Sequence, residues 1–251
     1  MAVENYINDE LKIYRGNDFV VSKYIVLKQP TLGEICDYGE ESYFDMVYGI
    51  TSTPQSAKVM LFDMGIDYTK ITPFQLFCMF IYNVYDQSKT SIIFGDLDFK
   101  KFEIRVNPED ESLYLEQTIN NEDVVIDEYT YMMIVDYICK SHFIEQDLKV
   151  PANESTKMIL IEDARDAIEK RKNSEYHSQL KNLISSMVNR EGFKYNHAQV
   201  WDMKINAFMD SVKRIMKIKN SDMLLQSGYF GFGVNLKDID DKKLDWLGEL
   251  E

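Results

Sequence analysis

Cysteine, proline and glycine are all scarce in this 251-residue sequence, at 3, 5 and 11 residues. The three cysteines, Cys36, Cys78 and Cys139, lie far apart and form no Cys-x-x-Cys or Cys/His pairing. That excludes a disulfide framework and a zinc knuckle, and it fits a reducing cytosol in which each thiol sits as a small hydrophobe on an apolar helical face. Few prolines and glycines disfavour a disordered linker protein and a turn-rich sandwich, so helices are expected to dominate. Positive charge is also short: the net charge is -14 and the pI about 4.7. Such a field repels a phosphate backbone and argues against nucleic acid as a partner, although acidity also simply serves solubility. A basic or neutral protein is the more natural partner. Long apolar runs are missing too. Phe74 to Val84 and Tyr131 to Cys139 fall well short of the roughly twenty residues that span a bilayer, and the acidic amino terminus MAVENYINDELKIYRGNDFVV predicts no signal peptide and no membrane partner.

What is present is 45% hydrophobic and 13% aromatic residues, enough for one large core or two modest ones. FVVSKYIVLKQP alternates as one or two strands and ends at Pro30. Thr31 and Glu34 form a capping-box pattern, followed at helical spacing by Ile35, Tyr38, Tyr43, Met46 and Val47. Thr53-Pro54 starts a short helix with Val59, Met60 and Phe62 on its apolar face, ending at Gly65. Thr72-Pro73 with Gln75 starts a third, apolar almost all round and central to the core. SIIFG, FKKFEIRV, SLYLEQT and EDVVID then alternate with period two, predicting a small antiparallel β-meander over about 91–126, and Asp127 caps a helix whose buried side holds Met132, Ile134, Val135 and Ile138. The polar stretch EQDLKVPANES marks a linker.

The expected fold class is thus α+β and predominantly α-helical: N-terminal strands and a meander packed on helices, then a helical C-terminal region. A mixed α/β domain over 1–150 precedes a helical domain over 151–251 that carries an aromatic, glycine-rich loop. In the second part, Asn206 to Gln226 is the longest helical pattern, aligning Phe208, Met209, Val212, Ile215, Met216 and Leu224 with the basic run KRIMKIK on its exposed side. Gly228-Tyr229-Phe230-Gly231-Phe232-Gly233 stops it, and KKLDWLGEL forms a terminal helix capped by Asp240 or Asp241.

No constellation of residues specifies a reaction. The Gly228 to Gly233 loop comes after a helix rather than a strand and lacks the lysine of a phosphate loop. Asp96 and Asp98 could share one side of an extended segment as a metal or acid/base pair, yet no third ligand has a telling spacing and a polar turn is the simpler reading. Asp238, Asp240 and Asp241 lack the glycine and closing glutamate of a calcium loop. His142, His177 and His197 have no metal-binding spacing and no neighbouring nucleophile, which leaves them as surface or boundary residues. No catalytic residue, metal ligand or cofactor is therefore predicted, and the protein is expected not to be an enzyme. Aromatic side chains are the better clue. Trp201, Phe208, Tyr229, Phe230, Phe232 and Trp246 are the candidate partner-binding residues, because aromatic anchors dominate protein interfaces.

The blocks QPTLGEICDYGEESYFDMVYGITSTPQSAKVMLFDMGIDYTKI and SSMVNREGFKYNHAQVWDMKINAFMDSVKRIMKIKN, with KKLDWLGEL near the end, resemble proteins of tailed phages of low-GC Gram-positive hosts, and among those the tail assembly chaperones. The resemblance lies in general texture over most of the chain. It implies a non-enzymatic morphogenesis protein in the cytoplasm of the infected bacterium, holding the tape-measure protein soluble while tail tube protein polymerises around it, with homo-oligomers possible through avidity. The alternatives are a structural subunit retained in the virion tail or neck and, more remotely, a metal-dependent phage enzyme around Asp96 and Asp98.

Overall fold

The computed structural model describes residues 10–172, 175–229, 235 and 238–250. It is an α+β fold, 55% helical, with two small antiparallel sheets. Helix α1 (Glu10–Arg15), which the sequence pattern did not announce, leads into strands β1 (Phe19–Val20) and β2 (Val26–Leu27). They pair with Phe19 opposite Leu27.

The capping box forms as expected: the Thr31 hydroxyl accepts from the Glu34 N–H while the Glu34 carboxylate accepts from the Thr31 N–H, starting α2 (Leu32–Tyr38). The continuous helix expected from Thr31 to Val47 is instead broken at Gly39, whose φ of 101° lies in the region only glycine adopts freely, and α3 (Glu40–Ile50) continues in a new direction. Thr53-Pro54 opens a turn, not a helix: Thr53 and Ser56 bond each other reciprocally, and α4 (Lys58–Asp63) starts only beyond it. Its buried residue is Leu61, while Met60 and Phe62 remain partly exposed. Thr72 and Gln75 form the second capping box for α5 (Pro73–Leu76), which runs into a wider π turn, Phe77–Ile81, closed by the Tyr82 N–H on the Phe77 carbonyl.

Ser91 to Gly95, expected as the meander's first strand, is instead the end of helix α6 (Gln87–Phe94) with Gly95 as its cap; Ile93 and Phe94 both point into the core and no partner strand lies alongside among the described residues. The meander is β3 (Glu103–Val106), β4 (Leu113–Ile119) and β5 (Glu122–Ile126), in that spatial order. Helix α7 (Glu128–His142), capped by Asp127, buries Ile134, Val135 and Ile138 together with Tyr131 and Tyr137. After the irregular stretch come α8 (Glu154–Lys172), α9 (Gln179–Val188), α10 (Ile205–Tyr229) and the short α11 (Asp241–Leu244).

The main hydrophobic cluster joins residues from both sides of that stretch: Ile25, Tyr43, Phe77, Leu115 and Ile138 meet Ile184, Met187, Val200 and Phe208. A backbone clasp closes it. Thr31 bridges Lys204 in antiparallel fashion, the Leu32 N–H donates to the Met203 carbonyl (3.0 Å), and the Ile205 N–H donates to the Pro30 carbonyl (3.0 Å). The Lys204 ammonium adds a bond to the Gln29 carbonyl, and Glu40 of α3 accepts from the Gln179 and Leu180 N–H groups at the start of α9. A smaller cluster of Leu61, Tyr68, Leu76 and Ile161 fixes α8 to α4, with Lys157 bonded to Asp67 (2.9 Å) and Arg165 paired with Asp63.

His177 and His197 are exposed, but His142 is not a boundary residue: it is buried at the end of α7. Its Nδ1 lies 2.8 Å from the Ile138 carbonyl and its Nε2 faces the Tyr43 hydroxyl at 2.5 Å. The bonds are satisfied by a neutral ring that donates from Nδ1 and accepts the phenol proton at Nε2. Burial pushes the imidazole pKa down to about 4 and the Tyr43 phenol well up. Since the unfolded ring titrates near ~6.5, the unfolded state takes up the proton first. Stability is therefore full above that value and falls as pH drops toward 4, by about 2 kcal/mol between about pH 8 and pH 5. Urea denaturation across that window should show the slope, and His142→Gln should flatten it even if the variant is less stable throughout.

Candidate partner-binding groove

Helix α10 enters the core by its first two turns, through Ile205, Asn206, Phe208 and Val212, and then leaves it. Beyond Val212 the helix carries two adjoining faces that share Lys217. One anchors the chain's last described residues. Arg214 donates to the carbonyls of Trp246 (3.0 Å) and Gly248 (2.8 Å), Lys217 to that of Glu249, and the buried Ser221 hydroxyl to that of Leu244 (2.6 Å). These side chains satisfy carbonyls at and beyond the end of α11 that have no helical partner, and cations are favoured there by the backbone dipoles. Asp240 starts the short helix by accepting from the Lys242 N–H.

The other face, with the anchored segment as its second wall, encloses an open groove of about 720 Å³. Its floor is Lys213, Met216, Lys217, Asn220, Met223, Leu224 and Ser227, a stripe at the three- and four-residue spacing of one helix face. Asp240, Lys242, Lys243 and Leu250 line the opposite side. Four lysines and one aspartate are among its lining residues, on a chain whose net charge is -14. Met216 and Met223 are each about half exposed (52% and 51%), and unbranched, polarisable side chains of this kind adapt to varied apolar partners. The groove has no nucleophile paired with a base among the described residues.

The sequence-predicted aromatics do not assemble into one surface. Phe208 is fully buried, packed edge-on toward Phe193, and belongs to the core. Trp201 sits half-buried on the turn Val200–Asp202 that precedes α10, beside His197, and its carbonyl closes tightly over Gly33. Tyr229 is exposed at the far end of α10, about 37 Å of helix away. Trp246 is half-exposed on the anchored segment, with Leu247 more open beside it. Phe230 and Phe232 lie outside the described residues. The lysine and methionine stripe is visible in the spacing of KRIMKIK and of the residues from Asn220 to Ser227. Nothing in the sequence signals the anchoring by Arg214 and Ser221, because it depends on carbonyls of a distant segment.

Elsewhere, Asp98 caps the turn Phe99–Lys101 through the Lys100 N–H and lies near Lys101, while Asp96 is exposed. Among the described residues no group of three or more histidine, cysteine or carboxylate side chains could hold a metal ion. Cys78 and Cys139 are pushed up to about 12 by burial, whereas Cys36, expected on an apolar face, is exposed. No helix among the described residues is long and apolar enough to cross a membrane.

A family model described as the YomV second domain matches residues 170–251, the last third of the chain, which contains α9, α10 and the groove. That family is phage-derived, from Bacillus, and the match is consistent with a phage protein. No curated protein and no solved structure matches the chain.

The anchoring makes a local prediction. Arg214→Ala removes two of the bonds to the terminal segment and should speed amide exchange at residues 244–248 by about tenfold, with the global unfolding midpoint nearly unchanged. Hydrogen exchange read by mass spectrometry checks it.

Proposed function

We propose that this protein is a non-enzymatic phage morphogenesis factor that binds an amphipathic helical segment of another phage protein in the α10 groove. The observation that carries this reading is the groove itself: a helical stripe of methionines flanked by lysines, held open by a terminal segment tied back to α10. An amphipathic helix laid in such a groove presents apolar anchors at three- and four-residue spacing, and acidic flanks would meet the lysines. The match of residues 170–251 to a phage-derived family supports the setting.

The finer assignment rests on the sequence resemblance to tail assembly chaperones. Under it the bound helix belongs to the tape-measure protein, the tail tube protein is the second partner, and the work is done in the cytoplasm of the infected host. A groove with adaptable methionines suits a chaperone, which must hold many turns of a long helix and release them when the tube polymerises.

Co-expression with the tape-measure protein of the same phage tests both levels. The chain should raise the soluble yield of its partner and co-purify with it, and Met216→Glu with Met223→Glu should cut recovery at least about tenfold while leaving the fold intact, since both side chains are half exposed. Mature particles should lack the chain. Stoichiometric presence in particles would make it a structural tail or neck subunit, and no co-purification would remove the chaperone reading.

A further inference from the structure

The outer edge of the β-meander is open, and its chemistry is self-complementary. Strand β3 is at the edge of the three-stranded sheet, all four of its residues are exposed, and among the described residues no strand pairs with its outer side. The Asn107 N–H donates to the Ser112 carbonyl (2.8 Å), which fixes the alternation of the ladder: Glu103 and Arg105 turn their backbone groups to β4, while the N–H and C=O of Ile104 and Val106 point outward. Register also fixes the faces. Ile104 lies opposite Leu115 and Val106 opposite Leu113, so both side chains are on the sheet face whose centre, Leu115 and Ile126, is fully buried. Yet Ile104 and Val106 themselves are 43% and 57% exposed, overhanging the core without cover. Natural sheets rarely leave an apolar edge of this kind unpaired.

The other face of β3 says what would pair with it. Glu103 and Arg105 are its only outward side chains, and they bond each other at 2.7 Å, with Arg105 also reaching Glu116 of β4 at 3.5 Å. An antiparallel strand whose residue opposite Ile104 is another Ile104 places Glu103 against Arg105 and Arg105 against Glu103, so every charge meets its opposite across a two-fold axis. Shifting that register by two residues sets Arg105 against Arg105, which is repulsive. We infer that β3 is a homodimer edge: two copies of this chain join antiparallel at Ile104 into a continuous six-stranded sheet, with the Ile104 and Val106 side chains covering each other on the core side. This surface is separate from the α10 groove and does not depend on what the groove binds.

Sedimentation velocity of the full chain over a range of concentrations tests the inference. The wild type should show a concentration-dependent dimer. Glu103→Arg alone or Arg105→Glu alone should weaken it by about tenfold or more, because each places like charges at two symmetric positions. The double variant carrying both should restore it, since the cross-strand pairs are regenerated with reversed sign. Ile104→Lys, at a position open in the monomer, should abolish the dimer while circular dichroism stays native. A wild type that remains monomeric at every accessible concentration overturns the inference, as does a dimer that is indifferent to the charge reversals.

Discussion

The antiparallel clasp between Pro30–Leu32 and Met203–Ile205 is the constraint on which the rest of the molecule rests. It joins segments more than 170 residues apart through backbone bonds that only proline, at Leu32 or Ile205, would remove directly. Two helices start from it. On one side Thr31 both bridges Lys204 and caps α2; on the other, Ile205 begins α10 with its N–H already satisfied by Pro30. Pro30 suits its place because the clasp asks only for its carbonyl and never for the N–H it lacks. Phe208 and Val212, one and two turns on, then fall into the main cluster beside residues from α3, α7 and the meander. The direction in which α10 leaves the core, and with it the position of the groove, is set by this junction.

The structural work of α10 is divided along its length. Its first turns hold the core, Arg214 and Ser221 hold the terminal segment, and the remaining stripe faces the open groove. Four lysines in its lining set the groove apart from the acidic background of a chain whose net charge is -14. The buried His142 and Tyr43 pair lies at the end of α7, close to where Asn206 of α10 bonds the Lys140 carbonyl.

Local chemistry was the legible part of the sequence. Both capping boxes, the Asp127 cap, the β-meander from Glu103 to Ile126 and the long α10 can be read from side-chain type and spacing alone, because the forces involved act within one turn or one hairpin. Failures occurred where tertiary context decides. SIIFG alternates like a strand but is short of a partner, so Ile93 and Phe94 reach the core as a helix instead. Phe208 was expected at a surface on the strength of its aromatic ring, and the clasp carries it inside. His142 lacks any sequence mark of burial, since its donor is the hydroxyl of Tyr43, ninety-nine residues earlier, and its acceptor the Ile138 carbonyl of its own helix. The candidate groove was half visible: its basic and methionine stripe could be read, its second wall could not.

Native-state hydrogen exchange resolved by residue is the measurement that bears most directly on the clasp as the organising constraint. The amides of Leu32 and Ile205, together with those of α7 and the first two turns of α10, should exchange only through global unfolding and share one free energy. Exchange of Ile205 and the start of α10 at a distinctly lower free energy, with α2 and α7 still protected, would show that the C-terminal helix opens on its own and would contradict this account.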